Sequence, residues 1–107
     1  MDNLFARLPP SSAPEEEFRQ LLAQPGLRIE RIVSRGHASP KDFWYDQEQD
    51  EWVLLVQGAA RLAFADGDEV RLGSGDWLLI PAHRKHRVAW TVPEAETVWL
   101  AVHYSRQ

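Results

Sequence analysis

The chain has 107 residues, enough for one domain with a sizeable buried core. Its apolar fraction of 44% and charged fraction of 26% are ordinary for a soluble domain, and no run reaches the roughly 18 apolar residues that a membrane span needs. A net charge of −4 argues against nonspecific nucleic-acid binding, and the absence of cysteine removes disulfides, thiolate metal sites and thiol nucleophiles. The start, Met1-Asp2-Asn3-Leu4-Phe5, lacks a basic stretch followed by an apolar block, so no secretory signal is expected and a cytoplasmic location fits.

Residues 1–13 hold Pro9, Pro10, Ser11 and Ser12 without a sustained period and read as an irregular arm packed through Leu4, Phe5 and Leu8. Pro14 followed by Glu15, Glu16 and Glu17 suits a helix start, because acidic side chains favour the positive end of the helix dipole. Phe18, Leu21 and Leu22 then fall at i, i+3 and i+4, and Pro25-Gly26 stops the pattern, which predicts one short helix. From Leu27 the period changes to two, giving a strand to Ser34 with mixed faces and an edge position. Ser34 to Lys41 reads as a loop, Phe43-Trp44-Tyr45 as an aromatic knot, and Asp46 to Asp50 as a turn.

Glu51 to Gln57 is the first clear core strand, with Gly58 starting a tight connection. Ala60–Ala65 and Glu69–Leu72 flank Asp66-Gly67-Asp68, a strong hairpin signal because Asp-Gly tolerates positive φ. Gly73 to Asp76 turns the chain into Trp77–Ile80, which Pro81 ends. His86–Val92 and Thr97–Tyr104 complete the set, with Trp99, Ala101 and His103 sharing one face of the last strand. Short strands at this spacing, with turn signals between them, predict an all-β sandwich or barrel.

The glycines and their neighbours carry a resemblance. Glu51 and Gly58 are spaced as in the second half of the first cupin motif, and Gly75, Pro81 and His86 as in the second, Gly-x5-Pro-x-Gly-x2-His-x3-Asn. The chain resembles the cupin superfamily, specifically a small single-domain cupin with a degenerate metal motif. The resemblance implies a double-stranded β-helix, or jelly-roll barrel, over residues 27–107, with residues 1–26 as an arm and a short helix packed on it. In metal-bearing cupins three histidines and one glutamate hold a divalent metal, of which iron, manganese, nickel and zinc suit nitrogen and oxygen ligands. Of those four ligands only Glu51 and His86 remain here. The histidine positions before Glu51 fall on Tyr45 and Gln47, or on Trp44 and Asp46, according to the gap assumed; His83 replaces the motif's second glycine and Trp90 its asparagine. Gln47, Glu51 and His86 are therefore the metal-ligand set to test, and no cofactor is assigned outright.

Side-chain parity puts Tyr45, Gln47 and Glu51 on one face and Trp52 on the other, and groups Trp90 with His86. The candidate pocket is Tyr45, Gln47, Glu51, His86, Trp90 and His103. His37 and His83 read as solvent-facing loop residues. Arg84, Lys85 and Arg87 form a basic cluster that either faces water or draws an anionic ligand. The favoured function is small-molecule binding around Glu51 and His86. Two alternatives stand beside it: a metal-dependent oxygenase or isomerase, or metal-free acid–base catalyst, and an interaction module whose barrel is filled by its own side chains. A homodimer is expected from exposed sheet edges and faces, with no nucleic-acid or membrane partner.

Overall fold

A computed structural model describes residues 1–105. The chain forms eight strands: β1 (Glu17–Gln24), β2 (Leu27–Ser34), β3 (Asp50–Gln57), β4 (Ala59–Phe64), β5 (Glu69–Gly73), β6 (Trp77–Ile80), β7 (His86–Thr91) and β8 (Thr97–Tyr104). They make a five-stranded sheet, β1-β2-β8-β3-β6, facing a three-stranded sheet, β5-β4-β7. All pairings are antiparallel. Val53 and Leu55 of β3, Ile80 of β6 and Trp99 of β8 meet Ala60, Leu62 and Phe64 of β4 and Leu72 of β5 to form the core. This is the all-β sandwich that the strand spacing predicts, in the jelly-roll form that the resemblance implies. No helix of the described residues is long and apolar enough to cross a membrane.

The predicted N-terminal helix is absent. Its residues are β1, paired with β2 from Glu17↔Val33 to Gln24↔Leu27. Pro25-Gly26 does not end a helix; it is the two-residue turn of a hairpin, with Gly26 at φ +75°. A helix this short is marginal in water, whereas a strand gains a full ladder against β2. The apolar stripe at helical spacing does not become one buried face: Leu21, skipped in the pairing between Gln20 and Leu22, stays exposed, as do Leu22 and Phe18. Because β1 takes the sheet edge, β2 lies inside the sheet and is not the edge strand its mixed faces suggested.

The arm is irregular, as expected, but its anchor is a charge. Arg31 of β2 is 1% exposed and donates to the carbonyls of Leu4 (2.9 Å), Ala6 (2.6 Å) and Arg7 (3.2 Å) and to Glu17 Oε1 (2.5 Å). A buried guanidinium is tolerable here because oxygen acceptors replace its water. His37 belongs to the same packing and is half-buried rather than solvent-facing. Its Nδ1 accepts from the Arg35 N–H (2.9 Å), which leaves Nε2 to donate to the Ala13 carbonyl (3.1 Å).

Turn chemistry fixes the remaining frame. Gly58 has φ +108°, and a Cβ there would lie 2.7 Å from the Thr97 Cα, so only glycine lets β3 turn into β4 beneath β8. His83, where the cupin motif has glycine, keeps the glycine-like backbone with φ +65°. It is exposed, as expected, with Nδ1 2.8 Å from Asp46 Oδ1.

Candidate functional site

A cavity of about 70 Å³ lies between the sheets. That is room for a few waters or a compact molecule, well below the roughly 300 Å³ at which drug-sized sites begin. Its floor is core: Val53, Leu62, Ile80 and Trp99, with the buried polar residues Glu51 and His86. Its rim is wetter, formed by Glu16, Phe18, Tyr45 and Gln47, with Phe18 51% exposed. Glu30, Ile32 and Val88 complete the wall.

The backbone explains why these residues meet. Odd-numbered residues of β3 face the core, so Glu51 points inward and Trp52 outward, where its ring lies 6.0 Å from that of Trp77. The segment before β3 is stitched to the turn before β7. Tyr45 and His86 exchange backbone hydrogen bonds (2.7 and 3.1 Å), the Gln47 carbonyl accepts from the His83 N–H (2.8 Å), and Asp50 Oδ1 accepts from the Ala82 N–H (2.7 Å). These bonds bring Tyr45, Gln47 and His86 to one mouth and stack the Tyr45 ring on the His86 imidazole at 5.4 Å.

Ionisable side chains lie along the wall and behind it. His86 Nε2 stands 3.6 Å from Glu51 Oε1, an ion-pair distance longer than a hydrogen bond. Glu51 is the register partner of His103 on β8. His103 Nε2 donates to Glu30 Oε1 (3.1 Å), and Arg28 Nε is 3.8 Å from Glu30 Oε2. His86 Nδ1 donates to the Arg84 carbonyl (2.9 Å), since a carbonyl can only accept. Nε2 therefore turns toward Glu51, and in the neutral ring it would set a lone pair against a carboxylate. Burial opposes the imidazolium, but the Glu51 carboxylate and the Arg84 carbonyl outweigh it and raise the His86 pKa above its usual 6.5. Glu30 moves the other way: the His103 hydrogen bond outweighs burial and, with the charges of His103 and Arg28, lowers its pKa below 4.5. The Tyr45 hydroxyl is pushed up to about 12 by burial and then by the charges of Glu16, Glu51 and Glu30.

Four of the six residues read from the sequence, Tyr45, Gln47, Glu51 and His86, line the cavity together. His103 is not on its surface; it is 2% exposed and acts behind the wall as the partner of Glu30. Trp90 is not in the cavity either. Leu62 pairs with Val88 but Arg61 with Trp90, so an extra residue, Ala89, is inserted between them. This bulge resets the alternation: His86, Val88 and Thr91 oppose the inward Phe64, Leu62 and Ala60, while Trp90 faces out with Arg61 at 5.7 Å. Besides the apolar Val53, Leu62, Ile80 and Val88, sequence reasoning left Glu16, Phe18, Glu30, Ile32 and Trp99 out of the pocket. Parity grouped Trp99 with His103 and Glu30 with Ile32, and that signal would have found three of the five.

The candidate metal set shares the cavity but does not make a metal site. Among the described residues, no group of three or more His, Cys, Asp or Glu side chains comes together to hold an ion. Gln47, Glu51 and His86 supply two strong donors and an amide, and both imidazole nitrogens already face an oxygen. Such a set does not fit a transition metal, which takes three good protein ligands. The basic cluster also stays outside. Arg84 bridges Asp66 and Asp68 and lies over the Phe64 ring, and Arg87 lies over Trp44.

No curated protein matches the chain. Among solved structures, a protein from Ralstonia eutropha provisionally named a mannose-6-phosphate isomerase is 51% identical, covering 99% of this chain and 98% of its own, with a TM-score of 0.92. A cupin superfamily protein from Desulfitobacterium hafniense is 19% identical with a TM-score of 0.73, covering 87% of this chain and 80% of its own. An RmlC-like cupin with a double-stranded β-helix fold from Methanocaldococcus jannaschii is 16% identical with a TM-score of 0.72, covering 88% and 84%. These last two show the fold alone. The family model of the cupin domain matches residues 31–103, from the buried Arg31 to His103 behind the cavity wall, and the chain belongs to the cupin family.

Proposed function

We propose that the chain binds a small molecule in the barrel cavity, with Glu51 and His86 as its polar floor. The observation that carries this is the state of Glu51. It is 7% exposed, it lines the cavity, and its nearest cationic partner is an imidazole 3.6 Å away. A buried carboxylate held this loosely is costly for stability, as is usual where a ligand completes the interaction. The cavity also disfavours a barrel filled by its own side chains. The test is a thermal-shift screen of small polar molecules on the wild-type chain and on Glu51→Gln. A ligand raising the wild-type melting temperature and losing that effect in the variant supports the reading; ligands acting equally on both refute it.

A second reading is acid–base isomerisation, favoured by the Ralstonia neighbour and by the Glu51–His86 pair, whose shared proton is placed to move at His86 Nε2. An assay for interconversion of mannose and fructose 6-phosphates tests it directly; turnover that survives His86→Gln would reject that role. We also propose a homodimer through the outer face of the five-stranded sheet. Ile29, Val102, Trp52 and Leu79 form one apolar row in register across β2, β8, β3 and β6, and Trp77 beside it is 62% exposed. Sedimentation at micromolar concentration should give a dimer that Trp77→Lys weakens; a wild-type monomer rules it out.

A further inference from the structure

We infer that the cavity selects a small organic cation, an amine that also carries a hydrogen-bond acceptor, over a phosphorylated sugar or a bare metal ion. This rests on the binding reading above and names the ligand's chemistry. Three carboxylates, Glu16, Glu30 and Glu51, share the wall with three aromatic rings, Phe18, Tyr45 and Trp99. No lysine or arginine is among the residues lining it. A phosphate would meet a single imidazolium, His86, which already faces Glu51, and would otherwise face carboxylates. An ammonium group finds the reverse: acceptor oxygens around it and aromatic faces that attract cations within about 6 Å.

The spacing of the carboxylates separates an organic cation from a metal. Glu16 accepts from the Ser34 hydroxyl (2.5 Å), Glu30 is bonded to His103, and Glu51 lies against His86. Each is held on a different strand or segment, and they do not converge on one point. A divalent transition metal needs its ligands at about 2 Å from a common centre. An amine spreads its donors over a wider shell and tolerates the separation. The raised pKa of Tyr45, caused after burial by these same three acids, agrees with a negative potential at the cavity mouth and keeps the phenol protonated.

Trp99 supplies an independent observation. It is 3% exposed and lines the cavity, and its indole Nε1 is buried without a hydrogen-bond partner. An unpaired buried N–H is unusual in a native fold and asks for an acceptor. The occupant therefore needs an oxygen as well as an ammonium group, and the cavity of about 70 Å³ keeps it short. A short amino alcohol has this chemistry.

The test is titration calorimetry with the full chain at neutral pH and low salt, using aminopropanol, its neutral counterpart propanediol, mannose 6-phosphate and zinc chloride as probes. Aminopropanol should bind about tenfold or more tightly than propanediol, the ratio that ~1.4 kcal/mol of charge recognition provides. Its affinity should fall by a similar factor in Glu51→Gln and in Glu16→Gln, where the neutral amide oxygen can still accept from the Ser34 hydroxyl. Raising the salt should weaken it. Equal binding of amine and diol, or tighter binding of mannose 6-phosphate or zinc, overturns the cation inference while leaving a binding cavity. If none of the four probes binds, both the inference and the binding reading fall.

Discussion

The two buried imidazole–carboxylate pairs are built from the same chemical groups and behave as opposites. Glu30–His103 is a direct hydrogen bond at 3.1 Å, backed by Arg28, and the carboxylate keeps some contact with water at 16% side-chain exposure. Glu51–His86 is longer, 3.6 Å, buries its carboxylate deeper, at 9% side-chain exposure, and has no second cation. The first lowers the carboxyl pKa; the second raises the imidazole pKa. The third pair, His83–Asp46, is closer than either at 2.8 Å but is 66% and 43% exposed, where water screens it. Burial and the number of partners, more than distance, decide what each pair does. Glu30–His103 is a structural fastening, and Glu51–His86 is an under-satisfied pair facing a cavity.

The strongest way to break this contrast is to remove one partner from each pair. His103→Leu should destabilise by about 2–3 kcal/mol, because it strands a partly buried carboxylate. Glu51→Leu should change stability by less than about 1 kcal/mol, in either direction, because it removes a costly charge and leaves His86 still bonded to the Arg84 carbonyl. Equal losses in urea unfolding would show the two pairs to be equivalent.

The pH dependence separates them further. His86 binds its proton more tightly folded than unfolded, so its contribution is fully present below about 6.5 and is lost as pH rises through the raised folded value. Glu30 holds its proton less tightly folded, so its contribution is present above about 4.5 and is lost as pH falls through the lowered folded value. Glu51→Gln should flatten the alkaline side of the stability profile and Glu30→Gln the acid side. A swap of these effects would invert the assignment. By proton NMR, the His86 ring should titrate above 6.5, move down in Glu51→Gln and stay nearly unchanged in Glu30→Gln.

The smallest effect is expected at the exposed pair. His83→Gly loses a surface contact worth up to about 1 kcal/mol and removes a left-handed backbone cost of about 1 kcal/mol. The net change in urea unfolding should stay within about 1 kcal/mol. A loss of several kcal/mol would mean that this pair, despite its exposure, fastens the turn before β7.

Several of these features are legible in the chain itself. Positive φ at Gly58, Gly67 and Gly75 follows from residues that alone adopt it cheaply, which is why the turns and the seven strands from Leu27 onward could be read. The period of two set Glu51 inward and Trp52 outward. Two devices defeated the same logic. The bulge at Ala89 reversed Trp90, because one inserted residue exchanges the faces of everything after it. The spacing of Phe18, Leu21 and Leu22 satisfied a helix template that β2 overrode by offering a ladder.

By itself, then, the sequence determined an all-β sandwich or barrel through its turn geometry and strand parity, and it carried the cupin resemblance that let Glu51 and His86 be expected at one site. Only the tertiary structure decided what surrounds them. Glu16 and Phe18 reach the cavity through a hairpin that folds back on β2, Glu30 finds His103 through the β2–β8 register, and Arg84 is drawn away by Asp66 and Asp68. The charge of a cavity is a sum over segments far apart in the chain, so it exists only once the sheets have closed.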